Sequence, residues 1–295
     1  MYLNSNVIAV TPAGRQQYME VLAPYILREK GLVDRWDIWV NTGRDSDLAY
    51  LHGLAADNKG FVRLVHYKEK LHKPAPQPWF FRHACESHTL YIKFDDDICW
   101  VKDDAILELA KFRVENPRPL IVMANTINNG FCAYIHAKHG AQDFCIDGKF
   151  PRISPDCYND VWGNPRIGEY AHRTFLDDLL RGDVEKYLFE AWELTAYQRF
   201  AINCICWWGR DVDGEMDGHF DEEQWLTTLQ PRKLGRPNSI CGTSLVSHFA
   251  FHKQRKPHCV GKQIDDRIHD AYRVLGRSPN DERAARNALT ARCFI

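Results

Sequence analysis

The hydrophobic and polar positions divide the chain into two textures. Through the first 125 residues, short apolar runs alternate with stretches of helical spacing. Residues 7–11 (VIAVT) form an apolar run that ends at Pro12-Ala13-Gly14, and a helical pattern follows through Met19, Leu22, Ile26 and Leu27. Residues 36–41 (WDIWVN), 61–66 (FVRLVH), 90–94 (LYIKF) and 120–124 (LIVMA) are rich in β-branched and aromatic side chains and read as further strands. Residues 103–114 (DDAILELAKFRV) carry apolar residues at helical spacing behind two acids, which suit the positive end of a helix dipole. Strands separated by helical patterns predict an α/β fold with a mostly parallel sheet and helices on both faces.

After Asn125 the periodicity weakens. Residues 126–170 are rich in Asn, Gly, Pro, Cys and aromatics and read as a long irregular region lining a site. Helical spacing returns at 169–180 and 184–194. Residues 201–208 read as a buried strand, followed by an acidic, Gly-rich segment at 209–218. Asp221 opens a helix (DEEQWLTTL), 243–251 reads as a strand, and 263–275 and 280–289 read as two closing helices. The expected organisation is one continuous domain, with a nucleotide lobe over 1–125 and an acceptor and catalytic lobe over 126–295.

Composition narrows the function class without naming a reaction. Of 295 residues, 45% are hydrophobic, 26% charged and 12% aromatic, which excludes a disordered, collagen-like or coiled-coil chain. Thirty-eight basic against 39 acidic residues argue against a broad polyanion-binding surface, so no nucleic-acid partner is expected. No run approaches the ~20 apolar residues of a membrane helix. The first ten residues lack a basic start and read as a strand rather than a signal peptide. Ten cysteines contain no C-x-x-C pair, and Cys132, Cys204 and Cys206 fall in apolar segments. They read as free thiols, and the expected location is the cytoplasm.

The sharpest chemical feature is Lys93-Phe94-Asp95-Asp96-Asp97-Ile98. Three carboxylates closing an apolar strand are costly unless something cationic neutralises them. On an extended backbone Asp95 and Asp97 point one way and Asp96 the other. Such a pair suits a hard divalent cation that keeps positions open for phosphate oxygens, at the strand end where open α/β sheets bind ligands. The plainer alternative is an exposed turn ahead of the helix at Asp103.

An apolar strand followed by D-x-D in a βαβ-rich chain resembles the nucleotide-sugar glycosyltransferases of the GT-A fold. More narrowly, VIAVTPAGR, WVNTG and YIKFDDDICWV resemble the glycosyltransferases of chloroviruses and related bacterial enzymes. The resemblance implies a GT-A fold, a nucleoside-diphosphate sugar donor, here a UDP-sugar, and Mn2+ or Mg2+ on Asp95 and Asp97. It also implies that Thr11, Pro12, Ala13, Gly14 and Arg15 cradle the nucleotide. The residues agree with that role, because backbone N–H groups at a helix start, with a guanidinium, suit a diphosphate. No G-x-G-x-x-G or G-K-[ST] signature is present. Asn41, Arg82, Asp95 and Asp96 are further nucleotide-contact candidates.

Two later segments complete the expectation. In His219-Phe220-Asp221-Glu222-Glu223, the functional reading is that one acid faces the site as general base for an acceptor hydroxyl, the role that the resemblance implies for an acidic helix start here in an inverting enzyme. The spacing favours Glu223, then Glu222, with Asp221 as the helix cap; in a retaining enzyme the acids would orient the acceptor instead. Ordinary N-terminal acids of a helix are the alternative. In 247–255 (SHFAFHKQR), His248 and His252 lie four apart on one face of a strand. The resemblance makes His248 the first choice to join the metal, with His252 as its competitor. Lys253, Arg255 and Lys256 are placed to neutralise a departing diphosphate. A zinc site of Cys241, His248, His252 and Cys259 is a lesser alternative, since its spacing matches no standard pattern. Trp162, Trp207 and Trp208 suit either a sugar platform or the core. The expected partners are thus the nucleotide sugar and a glycan or glycoconjugate acceptor. A sugar-phosphate nucleotidyltransferase and a carbohydrate-binding module are the competing functions.

Overall fold

The computed structural model describes residues 5–66, 77–156, 159–212, 216, 221–255, 263–277 and 282–290. The strands are β1 (Asn6–Ala13), β2 (Arg35–Val40), β3 (Val62–Val65), β4 (Thr89–Phe94), β5 (Ile98–Val101), β6 (Val122–Ile127), β7 (Trp192–Leu194), β8 (Cys204–Trp208) and β9 (Asn238–His248). They form one sheet in the order β3-β2-β1-β4-β8-β6-β9-β5, with β7 paired to β9. β5, β7 and β8 run against the other strands, so the α/β architecture with a mostly parallel sheet is the one the chain adopts. Strands from before and after residue 125 share this sheet.

Strand alternation builds a core on each face. Val7, Ala9, Leu90, Ile92, Cys204 and Cys206 pack to one side, whereas Ile8, Val10, Tyr91, Ile205 and Trp207 pack to the other. The first side is covered by α1 (Gln16–Arg28), α3 (Ala105–Glu115) and α9 (Asp266–Arg277), through Met19, Leu22, Ile26, Leu109 and Ile268. The second holds Trp39 stacked on Phe80, and Tyr91 stacked on Trp207. Trp207 is therefore core, its indole N–H donating to the Ala84 carbonyl. Cys85, Cys99, Cys132, Cys145, Cys204, Cys206 and Cys241 are free thiols. No helix among the described residues is long and apolar enough to cross a membrane.

Several elements differ from the sequence expectation. Residues 184–194 carry helical spacing but form a single 3-10 turn, Glu185–Tyr187, and then β7. The structure also adds α2 (Asp45–Asp57) and α4 (Gly130–Lys138). α4 lies inside the supposedly irregular region and is capped by Asn129, whose side chain accepts from the N–H groups of Phe131 and Cys132. α5 (Asp160–Gly163) and α6 (Pro165–Leu179) follow, the latter starting with proline at its first turn and Asn164 as its cap. β9 begins at Asn238 and stops at His248, so His252 lies in a turn and the two histidines do not share a strand face.

The acid-rich helix is composite. α7 (Glu222–Gln224) runs into a π-helical turn, Trp225–Leu229, and then α8 (Gln230–Leu234). Pro231 has no N–H to give the Thr227 carbonyl, and the Asn238 side chain reaches the carbonyls of Leu226 and Thr227 instead. The last helix is α10 (Glu282–Thr290).

Candidate active site

Parallel pairing of β1 with β4 brings the Ala13-Gly14-Arg15 segment and the aspartate triplet to the same edge of the sheet. β8 runs antiparallel to β4 and starts opposite Phe94, which sets Asn203 beside Asp95. The Asp95 N–H donates to the Asn203 carbonyl at 2.8 Å, and the Asn203 side-chain amide donates to the Asp95 carboxylate at 3.1 Å. β9 ends where β5 begins, with His248 opposite Ile98, and the Phe249 N–H donates to the Asp97 carbonyl. Three chain segments remote in sequence thus converge on residues 95–97.

The triplet is a turn rather than an extension of the strand, since the Ile98 N–H donates to the Asp95 carbonyl at 3.1 Å. Asp96 is consequently not turned away: all three aspartates line one cavity of about 230 Å³. Pro12, Arg15, Trp162, Glu222, Glu223, His248, His252 and Arg255 line it as well. Each carboxylate has a cation. Lys93 pairs with Asp95 and also donates to the Ile202 carbonyl at 2.9 Å. Arg15 pairs with Asp96 and reaches Asp97 at 3.1 Å. Arg255 meets Asp97 at 2.5 Å, and His248 Nε2 lies 3.3 Å from the same carboxylate. Burial pushes the Asp97 pKa upward, but His248, Arg15 and Arg255 overrule it and hold the group well below its usual value. In Asp96 burial prevails over Arg15, and its pKa is raised.

One carboxylate oxygen each from Asp95 and Asp97 and one ring nitrogen of His248 fall within 4.8 Å of one another. Two hard oxygens and an imidazole suit Mn2+ or Mg2+ with positions left open. The buried Nδ1 of His248 has no hydrogen-bond partner among the described residues, so the ring is not held by a competing acceptor there. The residues present therefore fit a divalent cation. The alternative zinc set fails in part: Cys241 and His248 are seven residues apart along β9, roughly 23 Å at strand rise. Cys259 lies outside the described residues.

At the helix start that contributes Glu222 and Glu223 to the lining, Asp221 is the cap, its side chain accepting from the Gln224 N–H at 2.9 Å. Arg199 grips both Asp221, at 2.9 Å, and Glu223, at 2.7 Å. Glu222 carries no ion pair among the described residues, and burial raises its pKa to about 7. Burial also raises Glu223, against the Arg199 pair. His219 and Phe220 lie outside the described residues.

Other candidates sit apart from the cavity wall. β1 runs two residues further than its apolar run suggests, so Thr11 and Ala13 are buried, and the Thr11 hydroxyl accepts from Trp36 Nε1 at 3.0 Å. Gly14 lies so close to β2 that an added Cβ would stand 3.0 Å from the Asn41 carbonyl; its N–H donates to Asp96. The Asn41 side-chain oxygen is buried without a partner among the described residues. Arg82 is exposed in the 3-10 turn before β4 and does not line the cavity. Lys253 sits over the Trp162 ring, 4.1 Å from its centroid. Lys256 is outside the described residues.

Lys93 was legible as a lysine inside an apolar strand, one residue from the triplet's strand end. Asn203, Arg199 and Tyr18 carry no local signal. The Tyr18 ring lies under both guanidiniums, 4.4 Å from Arg15 and 5.7 Å from Arg255.

No protein-family model and no curated sequence matches the chain, so the resemblance to the chlorovirus-related glycosyltransferases rests on its motifs. Among solved structures, a mannosyltransferase from Pyrobaculum calidifontis in complex with GDP-Man and Mn2+ is 11% identical with a TM-score of 0.48. That alignment covers 97% of this chain and 70% of the other. A 4-diphosphocytidyl-2C-methyl-D-erythritol synthase from Anaerococcus prevotii is also 11% identical, with a TM-score of 0.41 over 83% of this chain and 89% of that one. A CMP:2-keto-3-deoxy-manno-octonic acid synthetase complexed with CTP gives 11% identity and a TM-score of 0.40, over 82% and 90%. These are distant similarities of chain course.

Proposed function

We propose that the protein is a metal-dependent glycosyltransferase of the GT-A fold, moving a sugar from a nucleoside-diphosphate sugar to a hydroxyl of a glycan or glycoconjugate. The observation that carries this reading is the Asp95, Asp97 and His248 cluster sharing one cavity with Arg15, Arg255 and Glu222, which has no ion pair among the described residues. Asp95, Asp97 and His248 would hold Mn2+ or Mg2+, which supplies a Lewis acid beside the departing diphosphate. Arg15 and Arg255 balance the diphosphate charge from the same side. The orphaned Asn41 oxygen, at the end of β2, suits a donor N–H of the base, as in uracil. Trp162 and Phe251 give the wall an apolar face for a sugar ring.

Glu222 is the best-suited base. Among the described residues its carboxylate is not ion-paired to a cation, and its pKa near 7 lets it accept a proton from the acceptor hydroxyl at neutral pH. Glu223 and Asp221, gripped by Arg199, orient that helix start instead. If the anomeric configuration is retained, Glu222 positions the acceptor.

Thermal-shift measurements with UDP and GDP, with and without Mn2+, combined with an Asp97→Asn variant, test the reading. The wild type should be stabilised by nucleotide plus Mn2+ and lose that gain in excess chelator, because ligands of the native state raise its melting point. The variant should keep its fold but show neither the shift nor sugar transfer. Undiminished transfer in chelator or in the variant overturns the metal assignment. Pyrophosphate released from a nucleoside triphosphate and a sugar phosphate, without sugar transfer, assigns a nucleotidyltransferase instead.

A further inference from the structure

We infer that Arg255 and a divalent cation are alternative counter-ions of Asp97, so that the cation and a nucleoside diphosphate bind as a thermodynamically coupled pair. The inference rests on the metal-site reading above and adds to it an ordering of charges by this chain's own residues.

Asp97 is 3% exposed and already faces Arg15, Arg255 and His248. The two arginines are held differently. Arg15 engages Asp96 through both Nε and Nη2, and its Asp97 contact is secondary. Among the described residues, the Arg255 side chain has a single carboxylate contact, on Asp97, and otherwise lies against the Tyr18 ring. It is therefore the side chain able to leave without stranding a second ion pair.

Charge counting sets the coupling. Asp95, Asp96 and Asp97 are matched by Lys93, Arg15 and Arg255, so the cluster is neutral. A divalent cation alone would add two positive charges beside two guanidiniums, where burial weakens screening by water. A nucleoside-diphosphate sugar brings two negative charges on its diphosphate, and Arg255 released from Asp97 can meet them.

Space leads to the same conclusion. The cavity of about 230 Å³ is smaller than the roughly 300 Å³ at which ligand pockets begin. A second cavity of about 320 Å³ adjoins it, lined by Gln16, Tyr18, Arg44 and Asp47 among others. Arg15 and Arg255 are the residues common to both linings. Arg255 withdrawn from Asp97 opens one space toward the other.

Calorimetric titration of Mn2+ into the full chain, alone and in saturating UDP, tests this, with Arg255→Gln and Asp97→Asn alongside. In the wild type UDP should tighten Mn2+ binding about tenfold or more. Arg255→Gln should bind Mn2+ alone several-fold tighter than the wild type, and UDP should then improve it little. If Arg255→Gln does not fold, Arg255→Lys, which keeps the charge and shortens the reach, should shift both quantities in the same direction by less. Mn2+ binding that is lost in Asp97→Asn but unaltered in the Arg255 variant leaves the metal site standing and overturns the exchange. Mn2+ binding that survives in Asp97→Asn, or is absent from the wild type with and without UDP, overturns both.

Discussion

Glu222 shows how position within one helix turn decides chemistry. Asp221, Glu222 and Glu223 are consecutive acids, yet Arg199 takes the two outer ones and leaves the middle one facing the cavity. Its raised pKa has two opposite consequences. As a base it must be ionised, so the acid limb of the kcat/KM profile should rise through about pH 7. As a desolvated group in the folded state it should lower stability. The native state holds that proton more tightly than the unfolded chain, so stability falls between the usual 4.5 and about 7, and the cost persists above. Glu222→Gln should therefore reduce turnover about 10²–10⁴-fold while raising the melting temperature above pH 7. That gain should vanish below pH 4.5. Retained turnover would remove Glu222 from the chemistry; a lower melting point at pH 8 would show that burial is not what moves its pKa.

Among elements, the helix beginning at Asp221 is the least regular part of the site. The Asp221 cap and the Arg199 bridge fix its first turn, and Pro231 and Asn238 force the π-helical turn behind it. Asp221→Ala should cost about 1 kcal/mol in denaturant unfolding, from the lost cap. With Arg199 then losing its Asp221 pair, turnover should fall as well, and an unchanged melting curve would show the cap to be dispensable. The chain announced this element locally, because DEEQ followed by an apolar run is a helix start. It also announced the aspartate triplet, since three acids after LYIKF stand out in any local window. It misread 184–194, where helical spacing of apolar residues loses to pairing of Trp192–Leu194 with β9. It missed α4 because the cap, Asn129, sits in an Asn-Gly context that reads equally well as a turn.

At the scale of the whole molecule, β9, together with β8, ties the later half of the chain to the site. Its register against β6 jumps between Cys241 and Leu245. There the Phe189 backbone passes so close that a Cβ on Gly242 would stand 2.0 Å from the Phe189 carbonyl oxygen. Asn125 bridges the same place, donating to the carbonyls of Tyr187 and Gly242. Gly242→Ala should destabilise the protein by about 2–3 kcal/mol, and it should loosen His248 at the strand end enough to weaken Mn2+ binding. A wild-type melting point in that variant would mean that the 185–189 segment can move away without cost.

The sequence by itself determined the α/β class, the strand that ends in Asp95, Asp96 and Asp97, and the cap at Asp221, because each depends on residues within one turn or strand of one another. Tertiary structure decided the rest. Parallel pairing of β1 and β4 delivered Arg15 to Asp96, and antiparallel β8 delivered Asn203 to Asp95. The ends of β9 and β5 delivered His248 to Asp97. It also decided which acids are neutralised and which is not. The near-equal totals of acidic and basic residues in the composition cannot distinguish three paired aspartates from a glutamate with no ion pair among the described residues, since ion pairing depends on distances across the fold.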